Sequence, residues 1–423
     1  MPSSEFHLRS ALTPDARLLF ATRVVRLFAY GFLSVVLVLY LEQAGLSTPQ
    51  IGLLLTLTLV GDTLISLYMT TTADRIGRRR MLLLGAGLML FAGVLFVLTK
   101  NFALLVIAAT VGVISPSGGE IGPFLSIEQA GLSQAVPGEH RTRVFAWYNL
   151  VGSFAAAIGA FAGGALTQAL QTAGRTPLES YRAAVFGYGA MGLLLGLMFL
   201  RLSPAVEAPA ANGVPGFSSR FGLHRSRGVV LRLSALFALD AFGGGFVMQS
   251  ILAYWFHVRF GVEPAVLGGI FFGANLLAGL SSLTAARLAA RIGLINTMVF
   301  THIPSNILLI LVPLMPSLPL AIAVLLLRFS ISQMDVPTRQ SYTMAVVSPD
   351  ERSAAAGVTG VARTVGASLA PVITGPLLAA PALLSVPLFL GGGLKIVYDL
   401  LLYRSFRAHR PPEEGAGSRQ EGV

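Results

Sequence analysis

Charged side chains stand inside several strongly apolar stretches of this chain. Ser117, Glu120, Phe124 and Glu128 are spaced to share one face of a regular helix, and Arg328, Ser332, Asp335 and Arg339 are spaced to share another. Arg23, Arg26 and Tyr30 form a third face, while Asp62, Arg363 and Asp240, the last just ahead of Gly243-Gly244-Gly245, occupy similar surroundings. A carboxylate there can take up and release a proton, and a guanidinium can hold an anion or partner one of the acids. Placing one charged residue at mid-span costs about 2.5–3.5 kcal/mol, so retained charges imply pairing or a wet cavity. The plainer alternatives are fixed ion pairs, a hydrogen-bonded packing role for Asp62 and snorkelling for Arg363. Asp240 alone could carry a proton, whereas beside Arg26 it would act as a counter-ion.

Other chemistries leave no trace. His7, His140, His224, His257, His302 and His409 are scattered, with no pair at metal-ligand spacing, and His302 reads as a packed or interfacial residue. No phosphate loop, nucleophile elbow or zinc motif is present, so neither an enzyme nor a metal or cofactor site is expected. The absence of cysteine removes disulfides and thiolate ligands as well.

The elements that must position these charges are membrane spans. The chain has 423 residues, of which 54% are apolar and only 12% charged, and its mean hydropathy is +0.74. A soluble domain carries about 25% charged residues. Apolar stretches of about 20 residues, long enough to cross a bilayer, recur from Leu18 to Leu402. We place spans near 16–41, 49–72, 80–99, 102–135, 141–170, 181–202, 229–256, 264–290, 294–313, 317–346, 351–380 and 382–403.

The expected fold is therefore all-α, with about twelve transmembrane helices. It comprises one six-helix bundle over 1–202, a cytoplasmic linker rich in Pro, Gly, Ser and Arg over 203–228, a second bundle over 229–403 and a tail over 404–423. The net charge of +11 does not indicate nucleic acid, because the basic residues sit in short loops. Arg75, Arg78 to Arg80, Arg141, Arg143, Arg220, Arg225, Arg227, Arg404, Arg407 and Arg410 all fall on one side, which places both termini in the cytoplasm. The first apolar segment lacks a cleavage site and is expected to be retained as a span.

The two halves can be laid over each other. Ala73-Asp74-Arg75-Ile76-Gly77 matches Ala289-Ala290-Arg291-Ile292-Gly293, and the same shift carries Gly45 onto Gly261 and Gly52 onto Gly268. A second register sets Arg141 on Arg352, Ser153 on Thr364, Gly164 on Gly375 and Glu128 on Arg339. Parallel duplication is the economical explanation.

Ala73-Asp74-Arg75-Ile76-Gly77-Arg78-Arg79-Arg80 resembles the loop signature G-x-x-x-D-R-x-G-R-R of the major facilitator superfamily, with Thr70 in place of the first glycine. The resemblance implies a cytoplasmic gate built on Asp74, Arg75, Gly77 and Arg78, in which Asp74 caps a helix of the other half. Gly159-Ala160-Phe161-Ala162-Gly163-Gly164 is similar to that superfamily's antiporter signature, with Ala160 in the proline position; Gly152, Ala156, Gly159 and Gly163 also form a small-residue face suited to close packing. The fourth and tenth spans are interrupted at corresponding places, by Pro116, Gly118, Gly119, Gly122 and Pro123 and by Pro337, which points to the binding site. By the resemblance, these spans line a central cavity with Glu128 and Arg339 facing each other across it.

The expectation is a drug/proton antiporter-like transporter in the cell (inner) membrane, monomeric, exporting a small organic molecule in exchange for protons by alternating access. Glu128, Asp240 and Asp62 are the candidate proton carriers. Arg26, Tyr30, Glu120, Arg328, Asp335 and Arg339 are the candidate cavity residues. Proton-linked uptake of an organic anion and a transporter-like receptor that binds without cycling remain as alternatives.

Overall fold

The computed structural model describes residues 13–119, 124–135, 141–207, 225–348 and 351–407. Within them every regular element is a helix. The α-helices are α1 (Pro14–Ser34), α2 (Leu37–Gln43), α3 (Thr48–Ile76), α4 (Arg78–Leu98), α5 (Phe102–Val111), α6 (Phe124–Ala135), α7 (Arg141–Thr172) and α8 (Pro177–Phe199). They continue as α9 (Arg227–Gly245), α10 (Gln249–Phe260), α11 (Pro264–Ile292), α12 (Leu294–Leu311), α13 (Leu318–Ile331), α14 (Asp335–Ala345), α15 (Arg352–Ala379) and α16 (Val386–Phe406).

Local chemistry sets the ends of these helices. Thr176 caps α8 by accepting from the Glu179 N–H at 3.3 Å, Glu179 reaches back to the Thr176 N–H at 3.0 Å, and Pro177 fills the first helical position. Gly77 separates α3 from α4 at φ +116°, and Gly293 separates α11 from α12 at φ +85°. These are the two glycines that the repeat superposes, and a side chain would strain either turn. Gly45 and Gly261, the other superposed pair of turns, also have positive φ, at +98° and +66°.

Among the described residues, ten helical stretches are long and apolar enough to cross a membrane. The pair α1 and α2, bent by 46°, makes an eleventh if it is one span, and α5 is a shorter apolar helix. Large apolar side chains face outward along them, Leu98 being 75% exposed and Phe186 65%, as a lipid-facing surface requires. The expected fourth span is not one helix: residues 112–119 between α5 and α6 are unwound, with Gly118 at φ +70°. The face drawn through Ser117 and Glu128 therefore does not exist as a continuous helical stripe, and Glu120 lies outside the described residues. The tenth stretch is likewise interrupted, at residues 332–334 between α13 and α14.

The chain divides into two compact units, Met1–Asn212 with Gln249–Phe272, and Gly213–Met248 with Gly273–Val423. In the first, α1 packs on α7 and α4 on α8; in the second, α9 packs on α15 and α12 on α16. The repeat thus reappears as a repeated set of helix pairings.

Gln249–Phe272 groups with the first unit for identifiable reasons. Tyr254 donates to Glu42 Oε1 at 2.8 Å, Gln249 Nε2 donates to Ser34 Oγ at 2.8 Å, and the Ser250 N–H donates to the Pro116 carbonyl at 3.1 Å. By sequence position alone, α10 and the start of α11 fall within the stretch assigned to the second bundle. Their hydrogen bonds join them to the first unit.

Candidate functional site

Among the described residues, each unit holds a buried ionic cluster. In the first, Glu128 on α6 lies against Arg26 on α1, with Arg26 Nη2 donating to Glu128 Oε2 at 2.8 Å and both side chains fully buried. Thr22 donates to the other carboxylate oxygen at 3.0 Å, and the Tyr148 hydroxyl on α7 donates to Oε2. Arg23, one turn earlier on α1, donates to the Tyr148 carbonyl at 2.7 Å and to Asn149 Oδ1 at 3.2 Å. Its guanidinium lies 4.3 Å from the centre of the Tyr148 ring, and that of Arg26 lies 4.8 Å from the Phe124 ring. Tyr30 is buried on the same face of α1. Three helices therefore converge on one carboxylate.

The approach of α1 to α7 depends on the small-residue face of α7. A Cβ on Gly159 would lie 2.0 Å from the Phe28 carbonyl oxygen, and one on Gly163 would lie 2.2 Å from that of Phe32. The packing role foreseen for this face is what it performs.

In the second unit, Asp240 on α9 gathers three cations. Its Oδ2 accepts from Arg339 Nη1 on α14 at 3.0 Å and Arg363 Nη1 on α15 at 3.1 Å, and its Oδ1 accepts from Lys395 Nζ on α16 at 2.6 Å. Arg339 also bonds Asp335 one turn back, at 3.1 Å. His302 on α12 places Nε2 3.9 Å from Asp240 Oδ1, and its Nδ1 is 2.8 Å from Asp399 Oδ1 on α16. Asn306 donates to Asp399 Oδ2 at 3.2 Å. Arg328 is buried on α13, its guanidinium 4.8 Å from the Phe329 ring.

Several expected residues are thus brought together: Arg26 with Glu128, and Asp240 with Arg339 and Asp335. The counter-ion of Arg26 is Glu128, and Asp240 answers to Arg339, Arg363 and Lys395. Asp62 is buried on α3, within electrostatic reach of Tyr188, whose hydroxyl donates to the Val113 carbonyl.

The loop between α3 and α4 holds a different contact from the one anticipated. Asp74 is bonded to Arg78 at 2.7 Å and is 64% exposed, while Arg75 is exposed. The carboxylate at the start of α4 is that of Glu207, which accepts from the backbone N–H groups of Arg78 and, at 3.2 Å, Arg79. Glu351 does the same for the second unit, accepting from the Arg225 and Ser226 N–H groups at 2.8 Å each at the start of α9.

Tyr148, Glu207, Lys395 and Asp399 are not singled out by the sequence, and His302 is more than the packed residue its position suggests. Lys395 and Asp399, four residues apart in an apolar stretch, carry the same signal that marks Asp240. His302 has no partner within its own stretch, and only the fold supplies Asp399.

The likeness to known proteins agrees with this architecture. The model of the Major Facilitator Superfamily matches residues 19–371. The chain belongs to the Major Facilitator Superfamily. It is 31% identical over 417 residues to an uncharacterised membrane protein of Saccharomyces cerevisiae, YJR124C, covering 92% of this chain and 93% of the other. The quinolone resistance protein NorA of Staphylococcus aureus is 24% identical over 187 residues, 44% of each chain. Among solved structures, a bacterial homologue of the human lysosomal transporter Spinster superposes with a TM-score of 0.69 at 17% identity, covering 92% of this chain and 94% of that one. This superfamily member is a multi-pass membrane transporter and not an enzyme.

Proposed function

We propose that this superfamily member is a proton-coupled exporter of a small organic solute. It works by alternating access as a monomer in the cell membrane, both termini cytoplasmic and twelve spans in all, with residues 1–202 and 229–403 moving against each other and the hydrogen bonds of Gln249, Ser250 and Tyr254 to the earlier helices breaking as they do. The observation that carries the reading is the wholly buried Arg26–Glu128 pair among apolar helices. Such a pair is expensive to retain for packing alone and is well suited to exchange a proton or a solute for one of its partners. Glu128 and Asp240 would carry the coupling, with Asp62 as a third carboxylate. Arg26, Tyr30, Arg328, Asp335 and Arg339 would bind the solute, and Asp74, Arg75, Gly77 and Arg78 would form the cytoplasmic gate. The partial likeness to NorA and the Gly159-to-Gly164 segment support export.

The reading is tested in proteoliposomes under an imposed pH gradient, with a solute selected by a thermal-stability screen of the purified protein. Glu128→Gln and Asp240→Asn should each abolish gradient-driven accumulation, and at least one should retain counterflow. Undiminished accumulation in both variants removes these carboxylates from the coupling. A second reading, proton-linked uptake of an organic anion, is favoured by the excess of cations around Asp240. Accumulation of the solute by cells, instead of its exclusion, would select it.

A further inference from the structure

In the second unit three cations converge on one carboxylate: Arg339, Arg363 and Lys395 all bond Asp240, with Asp335 and Asp399 as the neighbouring acids. The distribution is uneven. Asp335 is bonded to Arg339, and Asp399 is occupied by His302 and Asn306, so Arg363 and Lys395 share the single carboxylate of Asp240 with Arg339. Among the described residues, neither Arg363 nor Lys395 has another acid within salt-bridge distance.

Of the cations on Asp240, Arg363 is the most exposed, followed by Lys395. The Arg363 side chain is 36% exposed and that of Lys395 11%, against 3% for Asp240 and 7% for Arg339. Nη1 is the only guanidinium nitrogen of Arg363 hydrogen-bonded among the described residues, so most of its planar fork of donors is unused. Lys395 is held in place by the glycines of α9. A Cβ on Gly243 would lie 3.0 Å from Lys395 Cγ, and one on Gly244 would lie 3.6 Å from Nζ. The glycine pair therefore forms a floor on which the lysine stem lies, with its ammonium on the same carboxylate, that of Asp240, as the Arg363 guanidinium.

A half-open guanidinium and an ammonium, both on an already shared carboxylate, form a place where a second carboxylate is stabilised on arrival. It gives the cations that share Asp240 a second counter-charge in low-dielectric surroundings and takes the bidentate geometry that Arg363 offers. We propose that Arg363 and Lys395 bind the carboxylate of a singly charged organic anion, which displaces Asp240 from part of its cation contacts. Arg363 and Lys395 offer a place for one carboxylate, and a second carboxylate on the same small molecule would be desolvated without that pair of cations, so a monocarboxylate fits better than a dicarboxylate. The inference deepens the transport reading and rests on it for the anion's role as cargo.

The test is equilibrium binding to the purified full-length protein, read as the shift in thermal unfolding midpoint at constant ionic strength. The probes are benzoate and hexanoate, compared with benzamide, hexanamide, succinate and added chloride. At a concentration about tenfold above their dissociation constants the two monocarboxylates should raise the midpoint by about 2 °C, more than succinate at the same concentration, and the amides and chloride should not. Arg363→Gln and Lys395→Gln should each weaken the monocarboxylate effect by about tenfold or more in concentration. Arg363, being half-open, is the variant that keeps the test sound should Lys395→Gln fold poorly. The site is refuted if the carboxylates shift the midpoint no more than chloride or the amides do, or if the shift survives undiminished in Arg363→Gln. A protein that shows gradient-driven flux but no carboxylate-dependent shift loses this site and keeps the transport reading; one that binds benzoate without counterflow keeps the site and loses transport.

Discussion

Arg26 and Glu128 show how differently a buried charge behaves with and without its partner. Both are fully buried, so removing one takes the opposite charge away from the other in low-dielectric surroundings. Glu128→Ala should therefore destabilise the protein by about 3–5 kcal/mol. The double variant Arg26→Met/Glu128→Leu should recover most of that loss while remaining unable to couple flux to a pH gradient. Thermal unfolding and proteoliposome assays on the same preparations check both halves, and a double variant as unstable as the single one would show that the pair is structural. At this scale the sequence reveals the charged residues but not how they pair. Arg26 and Glu128 are 102 positions apart, and nothing in hydropathy says which apolar faces meet. His302 and Asp399, which no motif marks, acquire meaning only from each other.

At the scale of elements, the contact of α1 with α7 rests on missing side chains. Gly159→Ala drives a methyl into the Phe28 carbonyl and should destabilise by about 1–3 kcal/mol or more, because backbone cannot give way as a side chain can. A Cβ on Gly357 of α15 would meet nothing within 4 Å, so Gly357→Ala should be neutral or slightly stabilising through helix propensity. Comparing the two unfolding midpoints separates packing from propensity, and equal effects would contradict the packing role. The face that makes this contact is readable from spacing alone, since small residues three and four apart necessarily share a side of a helix. The unwinding of 112–119 is harder to read. Pro116, Gly118 and Gly119 announce an interruption, but its extent depends on where the freed backbone finds partners, and one of them, Ser250, belongs to a distant part of the chain.

For the whole molecule, the segment Gln249–Phe272 ties the later part of the sequence to the earlier part. Because α10 packs on α2 and is hydrogen-bonded to Glu42 and Ser34, a protease site placed within 208–224 should cut the chain without separating the pieces. The cleaved protein should elute at its intact position in size-exclusion chromatography, and dissociation on cleavage would show that these contacts do not hold. All-α architecture, membrane spans and duplication are legible from composition, span length and register, because each depends on sums or repeats along the chain. The grouping of α10 with the first unit depends on tertiary contacts that carry no such signature.

The superposed turns at Gly77 and Gly293, and at Gly45 and Gly261, separate two kinds of inheritance within one polypeptide. Where the halves coincide, they share instructions for bending the backbone; where they differ, as at Glu128 and Arg339, they differ in charge. A duplicated scaffold of this kind can change its buried charges in one copy while both copies keep the same turns.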